Sequence, residues 1–275
     1  MIIKHLRKAL IVFLLAISTA SLSAKDLYFE RPFALNPVNE GIQLSFGAAL
    51  AGSAYICKNV LHINTPEYDP SKLNKNDIAD LDMLFARPYS KPLHIVGTVG
   101  MVLGMATPCI LGILPNSEWL TIGTMYAETL LITQGLKEWI KIAVYRPRPY
   151  MYFDGYPQKK VDDGDWSCSF PSGPSTLSFM GSALTTMVFC QYFPDSKWKY
   201  AVAGSTFGLA ALTGGLRMAS GNHFFTDVLA GACLGTACGF AVPYMHTQSF
   251  YNKFKKNDNL DIAINPTGFV VSFAF

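Results

Sequence analysis

Residues 41–57, 92–117, 172–194, 200–216 and 228–251 contain no Asp, Glu, Lys or Arg. Each run is rich in Gly, Ala, Ser and Thr, the small residues that let helices approach closely inside a bilayer. A sixth segment, 120–145, carries Glu128, Lys137, Glu138 and Lys141 and is therefore expected to face its neighbours rather than lipid. The expected fold class is all-α: a membrane-associated helical bundle of about six helices. Composition agrees, because 50% of the residues are hydrophobic and only 15% are charged, against roughly 25% charged in soluble domains. A net charge of +3 is too small to argue for a nucleic-acid partner.

The start of the chain, MIIKHLRK followed by ALIVFLLAISTA and SLSAK, has the positive, apolar and small-residue regions of a secretory signal. Residues 1–24 are expected to be a signal peptide cleaved after Ala20 or Ala24, or else an uncleaved anchor. Residues 25–91 then hold N-terminal helices and a loop, 92–251 the main bundle, and 252–275 a tail. Residues 76–86 are expected to form a short amphipathic surface helix with Ile78, Leu81 and Leu84 on its apolar side. The tail, DIAINPTGFVVSFAF, alternates around a Pro-Thr-Gly turn and is expected to form a short β-hairpin. Five cysteines, Cys57, Cys109, Cys190, Cys233 and Cys238, lie in apolar stretches without metal-ligand spacing, so buried apolar roles are expected of them.

Three motifs carry the chemistry. Arg217 is followed six positions later by His223, and His223 four positions later by Asp227. If a helix starts at the histidine, its ring and the carboxylate share one face, so Asp227 can hold one ring nitrogen while the other meets a substrate. The same spacing also suits a helix that Asp227 merely caps, or a pair between Asp227 and Arg217. Upstream stand Lys141, Arg146 and Arg148 in KIAVYRPRPY, then Ser172 and Gly173 in SFPSGPSTLSF. Arginine forks, a lysine point charge and amides at a helix start are what a tetrahedral oxyanion needs. Combined with a His-Asp pair, they make a phosphoryl-transfer site.

The order K-x6-R-P, P-S-G, R-x5-H-x3-D resembles the type-2 phosphatidic-acid phosphatase superfamily, which also contains bacterial acid phosphatases and vanadium haloperoxidases. The resemblance covers roughly residues 90 to 245. It implies His223 as nucleophile through a phosphohistidine, Asp227 as its orienting partner, and Lys141, Arg148, Ser172, Gly173 and Arg217 as phosphate ligands. It implies no cofactor or metal, and a lipid phosphate or diphosphate as substrate. Arg146 stands as a secondary cation, and Asp162, Asp163 and Asp165 read as a solvated loop. Two residues depart from the family pattern. Leu216 precedes the arginine where serine is common, and Pro174 follows P-S-G where the family has the histidine that protonates the leaving oxygen. Proline has no side-chain proton and no backbone N–H, although it suits the first turn of a helix capped by Ser172. His62 and His94 are the histidines that helix directions bring toward the same side.

If the helices alternate in direction, all three motifs meet at one end of the bundle. Lys197, Lys199, Lys253, Lys255 and Lys256 fall at the other, which positive-inside reasoning makes cytoplasmic. The expected location is the inner membrane with a periplasm-facing site, the alternative a soluble periplasmic protein. A cleaved signal would invert this orientation if 41–57 spans, so that segment is expected to be re-entrant or packed alongside. The leading function is a membrane phosphatase for lipid phosphates or diphosphates. The runner-up is a catalytically inactive relative that binds phosphate head groups or serves structurally.

Overall fold

The computed structural model describes residues 31–63, 68–69 and 73–250, together with the backbone of two C-terminal strands. The expected signal segment 1–24 lies outside the described residues. Six long helices make the body: α1 Pro37–Asn59, α3 Lys91–Met105, α4 Asn116–Ala143, α6 Gly173–Tyr192, α7 Trp198–Ala219 and α8 Phe225–Met245. Two short ones, α2 Asp80–Phe85 and α5 Gln158–Asp162, sit in the connections that surround the site. The all-helical expectation holds for the bundle. Strands β1 Leu260–Asn265 and β2 Gly268–Phe273 pair antiparallel, with Leu260 opposite Phe273. The expected hairpin falls on this segment, whose turn and side chains lie outside the described residues, and nothing in the bundle rests on it.

The helix starts follow from local chemistry. Asn36 caps α1, its side chain accepting from the amides of Val38 at 3.0 Å and Asn39 at 3.4 Å, with Pro37 at the first position. Ser172 caps α6 by accepting from Ser175 N. Residues 41–57 lie within the single continuous helix α1, packed alongside α4 rather than re-entrant.

Helix α6 is the centre of the bundle, with α8, α7, α3 and α4 around it, while α1 covers the outer side of α4. Several of its buried hydroxyls turn inward at little cost because they donate to nearby carbonyls. Thr176 bonds Ser172 O, Ser182 bonds Ser178 O and Thr206 O, and Thr185 bonds Gly181 O. Glycine sets the α6–α8 distance, since a β-carbon at Gly235 would overlap the Thr176 carbonyl. At the far end, Phe33, Leu111, Met125, Leu184, Val188 and Tyr192 form the main apolar cluster.

The outer faces are apolar as well. Ile42 and Phe46 of α1, Ile95, Val99 and Val102 of α3, Leu212 of α7 and Leu229 of α8 all point outward. Among the described residues, two stretches, Lys91–Ile113 and Phe225–Met245, are long and apolar enough to cross a membrane.

Residues 76–86 differ from expectation. A 3-10 turn, Lys75–Asp77, precedes α2. Ile78 is buried as expected, but Leu81 and Leu84 are 49% and 66% exposed while Asp82 is 1% exposed. The helix is turned by a polar force: Asp82 accepts from Thr226 N at 2.9 Å and Thr226 Oγ1 at 2.7 Å, and pairs with Arg146.

Candidate active site

The ends of α4, α7 and the starts of α6 and α8 meet at one end of the bundle, and His223 lies between α7 and α8 in the turn that joins them. That turn depends on Gly221, which has φ +72° and whose absent β-carbon leaves room for the carbonyls of Arg87 and Pro88. Its own carbonyl accepts from Tyr150 N at 3.0 Å, tying the turn to the segment after Arg148.

His223 is 1% exposed and held from both nitrogens. Nδ1 lies 2.8 Å from the Ser169 carbonyl, and Nε2 lies 3.0 Å from Nη1 of Arg148. A carbonyl only accepts and a guanidinium only donates. The ring is therefore the neutral tautomer with the proton on Nδ1 and a lone pair on Nε2. Burial, followed by the charges of Arg148, Arg217 and Lys141, holds its pKa well below the ordinary 6.5.

Asp227 does not take the expected hydrogen bond from the ring. Its Oδ2 stands 3.9 Å from His223 Nδ1 and instead accepts from Ser169 Oγ at 2.5 Å and Phe224 N at 2.8 Å. The second of these caps α8. Its other oxygen pairs with Arg146 Nη1 at 2.5 Å, not with Arg217. Asp227 thus reaches His223 through Ser169, whose hydroxyl it holds and whose carbonyl holds the ring. The reason is spatial: the 169–172 segment runs between carboxylate and imidazole, and Ser172 N also bonds Asp227 O at 2.9 Å.

The cations divide into two kinds. Arg146, read from sequence as secondary, is a structural clamp bonded to Asp82, Asp227 and Thr226, with its guanidinium 4.4 Å from the Phe224 ring centroid. Burial would raise the Asp82 carboxyl, but Thr226 and then Arg146 outweigh it and hold it low. Arg148 donates to the carbonyls of Asn222 and Asp165, each at 2.8 Å, and to Asp165 Oδ1 at 2.6 Å. Asp165 is therefore no solvated loop residue. Burial pushes its carboxyl up, but Arg148 and Lys160 overcome this and hold it far below the usual range.

Lys141 and Arg217 are different. They are 9% and 4% exposed, and among the described residues neither has a carboxylate partner. Lys141 Nζ donates to Cys168 O at 2.7 Å. Arg217 Nη1 touches only His94, at its carbonyl and ring, and Arg217 Nε is buried without a partner. Buried cations with spare donors form an anion site. The Ser172 amide is taken by Asp227 O, so the amide expected to face an anion falls to Gly173. A β-carbon there would lie 3.5 Å from Nζ of Lys137.

The sequence reading missed Ser169, Asn222, Asp82 and Lys137. Only Lys137 gave a signal, standing four residues before Lys141 and so on the same helical face. His94 is brought to the site, with Nδ1 3.2 Å from Asn222 Oδ1 and 3.3 Å from Arg217 Nη1. His62 lines a cavity of about 310 Å³ beside Lys141, together with Lys58, Asp162, Asp163 and Cys168. Pro174 occupies the second turn position of α6 and brings no titratable group.

A helical bundle that gathers buried cations with no carboxylate partner among the described residues around a tautomer-fixed histidine defines the class as one suited to a tetrahedral oxyanion. The family model of the PAP2 superfamily matches residues 122–251, just under half of the chain, and this stretch holds all three motifs. Among curated proteins, the chain is 38% identical over 77 residues to a lipid A 1-phosphatase of Porphyromonas gingivalis, covering 28% of this chain and 16% of that protein. It is 32% identical over 91 residues to a PA-phosphatase related-family protein of Dictyostelium discoideum, covering 31% and 34%. The chain thus spans well under half the length of either relative. Among solved structures it is similar to a transmembrane PAP2 type phosphatidylglycerolphosphate phosphatase from Bacillus subtilis, with 23% identity, TM-score 0.43, and coverage of 79% of this chain and 98% of that one. For LpxE of Aquifex aeolicus the identity is 21% and the TM-score 0.42, with coverage of 62% and 98%.

Proposed function

We propose that this protein is a membrane-embedded phosphatase that hydrolyses lipid phosphate or diphosphate esters through a phosphohistidine on His223. The observation that carries the reading is the pair of buried cations without carboxylate partners, Arg217 and Lys141, beside a histidine whose Nε2 bears its lone pair. A phosphoryl group entering this site displaces the Arg148 N–H from Nε2 and accepts it on a non-bridging oxygen. Arg148, Arg217, Lys141 and the Gly173 amide then surround the three oxygens as charge develops. Nε2 attacks phosphorus in line, the P–O bond to the lipid breaks, and the ring becomes cationic. Ser169 O retains the Nδ1 proton, and Asp227 steadies that arrangement from behind. Water then cleaves the P–N bond and restores the neutral ring.

The lipid part of the proposal rests on the outward apolar faces and on the two stretches long enough to span a bilayer. The relative named as a lipid A 1-phosphatase, matched over 77 residues, agrees with it. With the motif end of the bundle periplasmic, the lysines near residue 197 face the cytoplasm.

Pro174 shapes the substrate preference. Losing a general acid costs roughly 10²- to 10⁴-fold. An alcohol leaving group feels this fully, whereas a phosphate, with a second pKa near about 6, departs more easily unaided. Diphosphates are therefore the better substrates. Purified protein in detergent should release phosphate from a short-chain polyprenyl diphosphate faster than from a short-chain phosphatidic acid, and His223→Ala should abolish both. Turnover undiminished in His223→Ala would overturn the mechanism. Binding of orthovanadate by an inactive parent would instead favour the second reading, a head-group binder.

A further inference from the structure

At the end of the bundle remote from His223, three titratable side chains from three helices converge. Glu40 lies in the first turn of α1, Glu128 near the middle of α4, and His246 directly after α8. His246 Nε2 is 2.8 Å from Glu40 Oε2 and 3.0 Å from Glu128 Oε2. One donor atom from each residue fits within a span of 4.8 Å. Along α4, Glu128 stands roughly 20 Å below Lys141 at about 1.5 Å per residue, so this cluster is separate from the phosphate site.

Two features decide what belongs between these groups. The first is the tautomer. Nδ1 of His246 lies 2.9 Å from Val242 O, a pure acceptor, so the neutral ring keeps its Nδ1 proton and turns a lone pair on Nε2 toward both carboxylates. A backbone carbonyl fixing Nδ1–H while Nε2 faces oxygen donors is the usual outer support of a metal-bound histidine. The second is Glu128, which is 0% exposed and has no hydrogen bond at either carboxylate oxygen.

A proton on Nε2 is donated to Glu40 Oε2 and leaves Glu128 touching the ring at 3.0 Å without a well-aligned hydrogen bond. With both carboxylates ionised the cluster carries two negative charges against at most one positive, and among the described residues His246 is the one cation paired with either glutamate. A divalent ion satisfies all three donors and removes the imbalance. Tetrahedral bonds of about 2.0 to 2.2 Å separate ligands by roughly 3.4 Å, a value between the 2.8 Å of the shortest pair here and the 4.8 Å span of the set. We propose that Glu40, Glu128 and His246 form a structural site for a divalent transition-metal ion, which fastens α1, α4 and α8 together. One imidazole and two carboxylates suit zinc, manganese, iron(II) or cobalt(II) better than magnesium or calcium.

The test uses the purified full-length protein in detergent, stripped with chelator and dialysed against Zn²⁺ or Co²⁺. The expected result is one ion per chain by elemental analysis and a rise in Tm. The cobalt protein should show ligand-field bands without the near-ultraviolet thiolate charge transfer that cysteine ligation would give. Glu128→Gln and His246→Gln should each lose the ion and its Tm increment. If either fails to fold, Glu40→Gln, at the less buried position, should still weaken binding at least tenfold. No stoichiometric ion in the wild-type protein, a thiolate band, or unchanged affinity in Glu40→Gln would each overturn the proposal. So would a metal-free Glu128→Gln more stable than the wild type, which would mean a shared proton instead.

Discussion

Nη1 of Arg148 lies 3.0 Å from Nε2 of His223, and this contact defines the ring's protonation state because a guanidinium can only donate. It also couples two functions, since the donor that keeps the lone pair directed is the one a phosphoryl oxygen would next accept. Asp165 and the Asn222 carbonyl hold the guanidinium in that pose.

Arg148→Lys keeps the charge but loses the fork that spans Asp165, Asn222 and His223. We expect kcat to fall about 10²- to 10³-fold, the range for removing one preorganised oxyanion donor, with little change in far-ultraviolet circular dichroism. A variant within threefold of wild type would mean that charge alone suffices.

The low pKa of His223 sets the acid limit of activity. The nucleophile is lost only when Nε2 protonates, so the acid limb of kcat/KM should lie below the ordinary 6.5. Arg148→Met, which removes a neighbouring positive charge, should move that limb upward. Stability follows the same sign: the unfolded histidine takes up its proton near 6.5 while the folded one resists, so His223 lowers stability as pH falls through 6.5 toward its folded value. His223→Gln should flatten this part of the Tm-against-pH curve.

Ser169 and Asp227 can be separated. Ser169→Ala removes the hydroxyl link and spares the carbonyl on Nδ1, so kcat should fall about tenfold, equivalent to about 1.4 kcal/mol, with Tm almost unchanged. Asp227→Asn also strips a charge from Arg146 and weakens the α8 cap. It should lower both Tm and kcat. Equal stability losses in the two variants would contradict this division.

Pro174→His restores a proton donor at the start of α6. Monoester turnover should rise by one or more decades, and diphosphate turnover by less. No gain on either substrate from a folded variant would indicate that a neighbour such as His94 already serves as the acid.

The bundle was legible in the sequence because each uncharged run is a local pattern, and a cap such as Ser172 acts on an amide three residues away. The motif residues were legible for a related reason, since guanidinium, ammonium and imidazole groups have few alternatives for binding an oxyanion. Their contacts were not. Asp227 stands four residues from His223 in a helical register, yet the chain at Ser169 passes between them and takes both hydrogen bonds. Arg146 and Arg148 are two residues apart and of one type, and only the family resemblance set Arg148 ahead of Arg146, without showing that Arg146 would be a clamp. That division depends on Asp82 and Asp165, which arrive from distant segments. The sequence by itself determined where the long helices run and which side chains able to bind an oxyanion the chain offers. Only the tertiary structure decided the partners, because burial makes every charge find whichever opposite group the packing brings within about 3 Å.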